Sequence, residues 1–506
     1  MAELRSADRR NGNGSSFALT SRQITLGTTV FIGLLIVSLI LFAVGYEYSR
    51  IGFYMLGGML ALGLAIAIVL RPELGAFVLT FTIYTNIADV LGSTGILSIN
   101  KVLVLLVAVS LLGNRLLGGQ NTLKLGRTEL LLAAYGFVQV LTFFVAQNKE
   151  AVVTQSINFA KDFIILLCII YALESFEAWK RVGWILIVTA ALLSLLGAYQ
   201  VATGNYTQTF GGLASHSFES GVVGEASASR LAGPVGDPNY FGQILVAVLP
   251  LAVYRALRER KLLKVLAAGC AFLILFAIIY TYSRGAFLAT MAALTAIVIE
   301  RKMRLWALLP ILLVGLLVAL VLPTGYLTRI QTISLLGGKD ESSVYEDASL
   351  RGRTSELLAG LYMWADHPLL GVGVGNYRFR YQEYASQIGL EARAEEREAH
   401  SLYIEILAET GLAGVATFGA YLVSLFAALR GAAAKLARLE GQVENRHWLV
   451  STGVGVGAYL VSSIFLHGAY FRYLMLLMAL AIAAVRLTDQ MAAGERAEQP
   501  SEAELI

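Results

Sequence analysis

Residues 263–282 read LKVLAAGCAFLILFAIIYTY. Past the lysine at 264 nothing charged interrupts the run, and its length matches the roughly 20 residues a helix needs to cross a bilayer core. The apolar residues are continuous rather than alternating, which selects a helix over a barrel strand. A second run, GAFLATMAALTAIVIE at 285–300, follows at once. The turn between the two therefore presents Ser283 and Arg284 at one membrane face.

Comparable runs lie at about 26–45, 52–70, 74–92, 97–113, 129–146, 157–173, 183–202, 239–254, 305–323, 411–429, 448–466 and 470–486. The expected fold is an all-α integral membrane protein with about 14 transmembrane helices. Composition agrees. Of 506 residues, 57% are hydrophobic and 15% charged, with a mean hydropathy of +0.67, whereas soluble domains carry about 25% charged residues. Disorder is excluded away from the ends. The net charge of +4 gives no reason to expect nucleic acid as a partner. Cys168 and Cys270 fall inside apolar runs, without disulfide or metal-ligand spacing. A polar first 25 residues and a first apolar run long enough to span argue against a cleaved signal peptide.

Basic residues set the orientation. Of 39 lysines and arginines, 24 fall on the side that holds both termini and six at span edges on the other, with the rest in two long external loops. Both termini are therefore expected in the cytoplasm. The expected layout is a cytoplasmic segment at 1–25, helices 1–11 at 26–323, a large periplasmic loop at 324–410, helices 12–14 at 411–486 and a loose cytoplasmic tail at 487–506. The loop has its own structure: Leu357, Leu358, Leu361, Tyr362 and Trp364 recur on one helical face, and Pro368 ends that helix. A short helix lying on the membrane surface is expected there.

The outer ends of the spans carry the candidate chemistry. Arg284 suits a phosphate, because guanidinium donates two parallel hydrogen bonds, and Ser283 adds a donor; as a bare anchor it would only reach for headgroups. In Gly233-Pro-Val-Gly-Asp-Pro-Asn-Tyr240 the turn residues precede a span. There Asn239 can cap the helix, and Asp237 and Asn239 can face a polar substrate. Arg351 and Arg353 open the surface helix. Gly371-Val-Gly-Val-Gly-Asn376 looks like a nucleotide loop but lacks the flanking strand, so it reads as a sharp turn. His400 sits at the mouth of the twelfth span, where an imidazole can take a proton from an attacking hydroxyl. Glu405 and Glu409 share a helical face beyond it, to orient a substrate or to rest among headgroups. No His, Asp or Glu cluster has metal-ligand spacing.

In order, these pieces are Gly-Asp-Pro-Asn before a span, Ser-Arg-Gly after one, and Arg-Gly-Arg opening a Trp-bearing helix. His-Pro-Leu-Leu-Gly-Val-Gly-Val-Gly-Asn follows, then His-Ser-Leu-Tyr-Ile-Glu-Ile-Leu-Ala-Glu-Thr-Gly. Over about 233–415 the series resembles the bacterial O-antigen ligase and O-antigen polymerase superfamily. The resemblance implies an inner-membrane glycosyltransferase of lipopolysaccharide or exopolysaccharide synthesis. Its donor would be a glycan on undecaprenyl diphosphate and its acceptor a sugar hydroxyl, on lipid A core or on another glycan, at the periplasmic face. It implies no cofactor, neither nucleotide sugar nor metal. The family's essential arginine falls on Arg284, its loop arginine on Arg353 with Arg351 as competitor, and its histidine on His400. Many members have Asn next; this chain has Ser401. Ligase, polymerase and protein glycosyltransferase stay open, and polysaccharide-export proteins are conceivable partners. The alternatives are a multi-span glycan transporter or flippase, for which Asp89, Lys161 and Asp162 are the intramembrane candidates, and a non-catalytic scaffold of an export complex.

Overall fold

A computed structural model describes residues 49–90, 98–117, 125–218, 229–302, 348–388 and 396–498. The expected first span (26–45) and eleventh span (305–323) lie outside them. Packing divides the chain into two units, Met1–Gly75 with Val102–Leu123, and Ala76–Lys101 with Lys124–Ile506.

Among the described residues the helices are α1 (Ser49–Leu70), α2 (Pro72–Tyr84), α3 (Ile87–Val90), α4 (Ile99–Leu117), α5 (Arg127–Leu141), α6 (Lys149–Ala172) and α7 (Phe176–Thr203). They continue with α8 (Pro238–Arg258), α9 (Lys261–Tyr280), α10 (Arg284–Glu300), α11 (Ala348–Asp366), α12 (Tyr377–Ile388), α13 (Leu402–Arg438), α14 (Val443–Ser462) and α15 (Phe471–Glu498). One antiparallel pair of three-residue strands, β1 (His216–Phe218) and β2 (Ser229–Leu231), lies between α7 and α8. The fold is thus all-α, and six of its described helices (α6, α7, α8, α9, α13 and α15) are long and apolar enough to cross a membrane. Neither cysteine forms a disulfide, and both are buried.

In the first unit, the Ser110 hydroxyl on α4 donates to the Val69 carbonyl of α1 at 2.7 Å. In the second, α8 is the central element, packed by α7, α9, α10 and α14. Its closest approach is to α14: a Cβ on Gly455 would sit 2.3 Å from the Ala247 carbonyl oxygen. Small residues allow such approach between apolar helices, where dispersion must replace the hydrophobic effect. The very apolar α9 is mostly uncovered, with Leu262 79% and Val265 68% exposed, as expected of a helix that faces lipid.

Several boundaries differ from the sequence reading. The third span breaks at Asn86, which has φ 53° and donates through its side chain to the Pro234 carbonyl. The twelfth begins at Leu402 rather than 411 and is interrupted at Gly411, at φ 60° and ψ −158°. Breaking a helix frees backbone groups that need partners, and the glycine turn supplies them. Val372 and Gly373 donate to the Ala408 and Glu409 carbonyls at 2.8 and 3.0 Å, while Leu412 and Ala413 donate to those of Pro368 and Leu369 at 2.8 and 3.1 Å. A Cβ on Gly411 would meet the Leu369 carbonyl at 2.5 Å, so this crossing demands glycine. The tail expected to be loose after about 488 continues as helix to Glu498.

The loop helix α11 exists and ends before Pro368, but its docked face is not the apolar one. Ser355, Glu356, Ala359, Gly360 and Met363 are turned inward, while Leu357 and Tyr362 are 43% and 54% exposed. The reason is its neighbours. The helix packs on α12 and the first turns of α13, where Gly360 admits Ile404 and the Tyr377 ring. The Tyr377 hydroxyl donates to the Glu356 carbonyl, and Ser355 bonds the Tyr381 hydroxyl at 3.0 Å.

Candidate active site

His400 precedes the Ser401 turn that starts α13. Its backbone has φ 44°, a left-handed value uncommon for a residue with a side chain. Nδ1 lies 3.0 Å from the Glu398 carbonyl and 3.1 Å from Glu356 Oε2. The Glu356 side chain is 3% exposed and the His400 side chain 34%, so a buried carboxylate orients a ring that still reaches the surface. The Glu398 carbonyl at Nδ1, with the Glu356 carboxylate beside it, fixes the proton there and leaves Nε2 as the basic nitrogen. Burial by itself depresses the imidazole's proton affinity. Glu356 and the Glu398 carbonyl outweigh it, against the opposing charge of Arg353, and the pKa is held above the ordinary histidine value. Arg397 lies 3.8 Å from the other Glu356 oxygen.

A second histidine backs the first. The His467 ring is 5.6 Å from that of His400, and the Tyr240 hydroxyl lies 2.7 Å from its Nδ1. Burial, reinforced by His400, drives its pKa down to about 3, so it stays neutral. Tyr240 leads to the other half of the site. Asp237 Oδ1 accepts the backbone N–H groups of Asn239 and Tyr240 at 2.7 and 3.1 Å. Asp237, not Asn239, is therefore the cap of α8, because only the residue before the first helical turn has its side chain beside those free donors. Asn239 instead accepts a hydrogen bond from Arg230 Nη2 at 3.0 Å. Arg230 Nε in turn donates to the Thr281 carbonyl at 2.9 Å, at the turn that opens α10.

That turn is strained as well: Tyr282 has φ 51°. Ser283 caps α10 by accepting from the Ala286 N–H at 3.3 Å, and Arg284 follows, half-buried, as the first residue of the helix. Arg353 is half-buried on α11, one turn before Glu356 and close enough to act electrostatically on His400. Arg351 lies on the same helix, two residues nearer its start.

Glu405 and Glu409 differ from the sequence reading. Their carboxylates are engaged by backbone amides. Glu405 Oε2 accepts from Gly468 at 2.7 Å, which fixes the turn carrying His467. Glu409, 5% exposed, accepts from Gly375 at 2.8 Å and Tyr377 at 3.0 Å. Both oxygens of Glu409 thus hold the glycine turn, a stronger arrangement than neutral hydrogen bonds would give. Beside that turn a cavity of about 260 Å³ is lined by Asn148, Glu150, Thr154, Gln155, Arg378 and Phe379.

Contacts therefore connect Asp237, Asn239, Ser283, Arg353 and His400, and add Glu356, Arg230, Tyr240 and His467. Glu356 could have been found, since its spacing from Arg353 puts both on one helical face. Arg230 could not: its partner Thr281 is 51 positions away, and its own surroundings are a polar, small-residue stretch.

No curated protein matches the chain. The family model described as O-antigen ligase matches residues 269–419, a segment that contains Arg284, Arg353, Glu356 and His400. Over that segment the chain is similar to the O-antigen ligase family, in line with the resemblance its motifs carry.

Proposed function

We propose that this O-antigen ligase-type membrane protein transfers a glycan from undecaprenyl diphosphate to a sugar hydroxyl at the periplasmic face of the inner membrane. The observation that carries the reading is the Glu356–His400 pair, 3.1 Å apart, with the carboxylate buried and the ring partly open. A base held by a buried carboxylate is the arrangement expected where a hydroxyl must be activated. His400 Nε2 takes the proton of the acceptor hydroxyl as its oxygen attacks the anomeric carbon. The bond from that carbon to the diphosphate oxygen breaks, and the diphosphate leaves with the electron pair. Direct displacement inverts the anomeric centre.

Diphosphate needs its charge neutralised rather than its bond specially activated. Arg284 and Arg353 do this at the water–lipid boundary, where charges act more strongly than in bulk water. Arg351 is the alternative to Arg353. Ser283, Asp237 and Asn239 shape the donor side. Asn239 works through Arg230, which brings a further guanidinium to the mouth of α8. Glu405 and Glu409 act as positioning residues for the two turns they hold. The polar cavity beside Gly375, with Phe379 at its wall, suits a sugar ring of the acceptor. The mechanism needs no metal.

The test is complementation of a strain lacking the enzyme, read on a glycan ladder gel. Arg284→Ala and His400→Ala chains that insert normally are expected to leave the ladder absent. Full ladders from both would overturn the reading. Purified protein is expected to keep its transfer activity in chelator; complete loss would overturn metal independence. Mass spectrometry of the product then assigns the acceptor as lipid A core, glycan or protein.

A further inference from the structure

The chain direction places His400, Asp237, Ser283 and the end of α14 at one end of the second unit. The opposite end is built from the last turns of α8 and α10 and the first turns of α7 and α14. It holds Arg255 and Arg258 of α8, Arg301 after α10, and Arg446, His447 and Trp448 of α14. The carboxylates there are taken: Glu259 lies 3.3 Å from Arg255, Glu300 2.9 Å from Arg446, and Glu444 3.1 Å from Lys180. Glu300 also accepts the Tyr254 hydroxyl at 2.8 Å.

What remains is an excess of donors. Arg255 is 0% exposed, and among the described residues its Nε and Nη2 have no hydrogen-bond partner; neither do Arg301 Nη1 and the Trp448 indole nitrogen. Tyr254 and Arg255 are consecutive on α8, and Arg301 follows α10. The Arg255 guanidinium lies over the Trp448 ring at 4.1 Å, and Arg301 lies over the Tyr254 ring at 5.6 Å. Arg258 joins the two by its 3.2 Å contact with His447. Buried donors without partners are costly and call for an explanation. At this end the unpartnered donors of Arg255, Arg301 and Trp448 outnumber the one unpartnered acceptor, Asn445 Oδ1, so the missing partner is an acceptor-rich anion.

We propose that this end of the bundle binds a phosphate group, as carried by the headgroup of an anionic phospholipid, with Arg255 as the buried floor and half-buried Arg301 as the entry. Three features favour a lipid headgroup over a freely dissolved anion. The site lies at the ends of apolar helices long enough to cross a membrane, which is where a bilayer presents its headgroup phosphates. Trp179 and Trp184 both meet Trp448 with ring centroids 6.2 Å apart, an aromatic cluster of the kind found at the membrane interface. Basic pockets between helices at that depth hold acidic headgroups by the same chemistry. The site is independent of glycan transfer.

The experiment is thermal unfolding of the full chain in neutral detergent with added phosphatidylglycerol, phosphatidylcholine or inorganic phosphate. Ligand that binds only the folded state raises the Tm with concentration. Phosphatidylglycerol is expected to raise it and phosphatidylcholine not. Arg255→Met and Arg301→Gln should each weaken the apparent affinity at least tenfold, while His400→Ala leaves it unchanged. Arg301→Gln keeps the test informative should Arg255→Met fail to fold. A response to inorganic phosphate that both variants abolish would also support the phosphate site and move its ligand to solution. No response to either anion, or an equal response in both variants, overturns the proposal.

Discussion

The two ends of the second unit handle buried polarity in opposite ways. At the His400 end the main groups answer one another: His400 to the Glu398 carbonyl with the Glu356 carboxylate beside it, His467 to Tyr240, Asn239 to Arg230, and Glu409 to two amides. At the Arg255 end, donors of Arg255, Arg301 and Trp448 have no hydrogen-bond partner among the described residues. The first pattern is preorganisation, with side chains fixed before any ligand arrives and little reorganisation left for the reaction. The second is a site whose geometry is complete only with a ligand in place. Polarity at a helix end is therefore weak evidence of chemistry; what matters is whether its partners lie inside the protein.

Substitutions at the preorganised end should cost most. His400→Ala removes the proposed base and is expected to lower the transfer rate by roughly 10²–10⁴-fold, measured with purified protein and lipid-linked donor. Arg284→Ala removes charge stabilisation of the leaving group and should cost about 10²–10³-fold. Glu409→Ala strands two buried amides at the glycine turn. It should destabilise the chain by about 3 kcal/mol, since each lost partner of a charged acceptor is worth roughly 1.5–3 kcal/mol, seen as a lower unfolding midpoint in detergent. Arg378→Ala, at the rim of the polar cavity, should raise the KM for acceptor about fivefold with kcat retained, the value of about one hydrogen bond. An unchanged KM would remove that cavity from the acceptor path. If His400→Ala and Arg378→Ala cost the same, the contrast between a fixed centre and an adaptable rim fails.

Much of this was legible in the sequence, for identifiable reasons. Continuous apolar runs fix helices wherever they are long, so α7, α8 and α9 fall close to their expected bounds. His400, Arg284 and Arg353 could be singled out because each stands at a span mouth or helix start in a local pattern. The docked face of α11 was not, because periodicity finds the apolar side of a helix and this one docks through Ser355, Glu356, Ala359 and Gly360. Nor was the double clamp of Glu409. Its partners Gly375 and Tyr377 are more than thirty positions away, and a lone glutamate in an apolar run gives no hint of them. Arg230 was hidden for the same reason.

The central claim is that Glu356 tunes His400 as the base. The pH dependence of glycan transfer by the wild type and by Glu356→Gln tests it most directly. The carboxylate holds the His400 pKa above its usual value, and the base must be neutral to act. Wild-type activity should therefore fall with acid through a midpoint above the ordinary histidine value of about 6.5. In Glu356→Gln the raising charge is gone and burial dominates, so the midpoint should move to lower pH as the plateau rate drops. A Glu356→Gln chain that keeps the wild-type midpoint, whatever its plateau, would contradict the account.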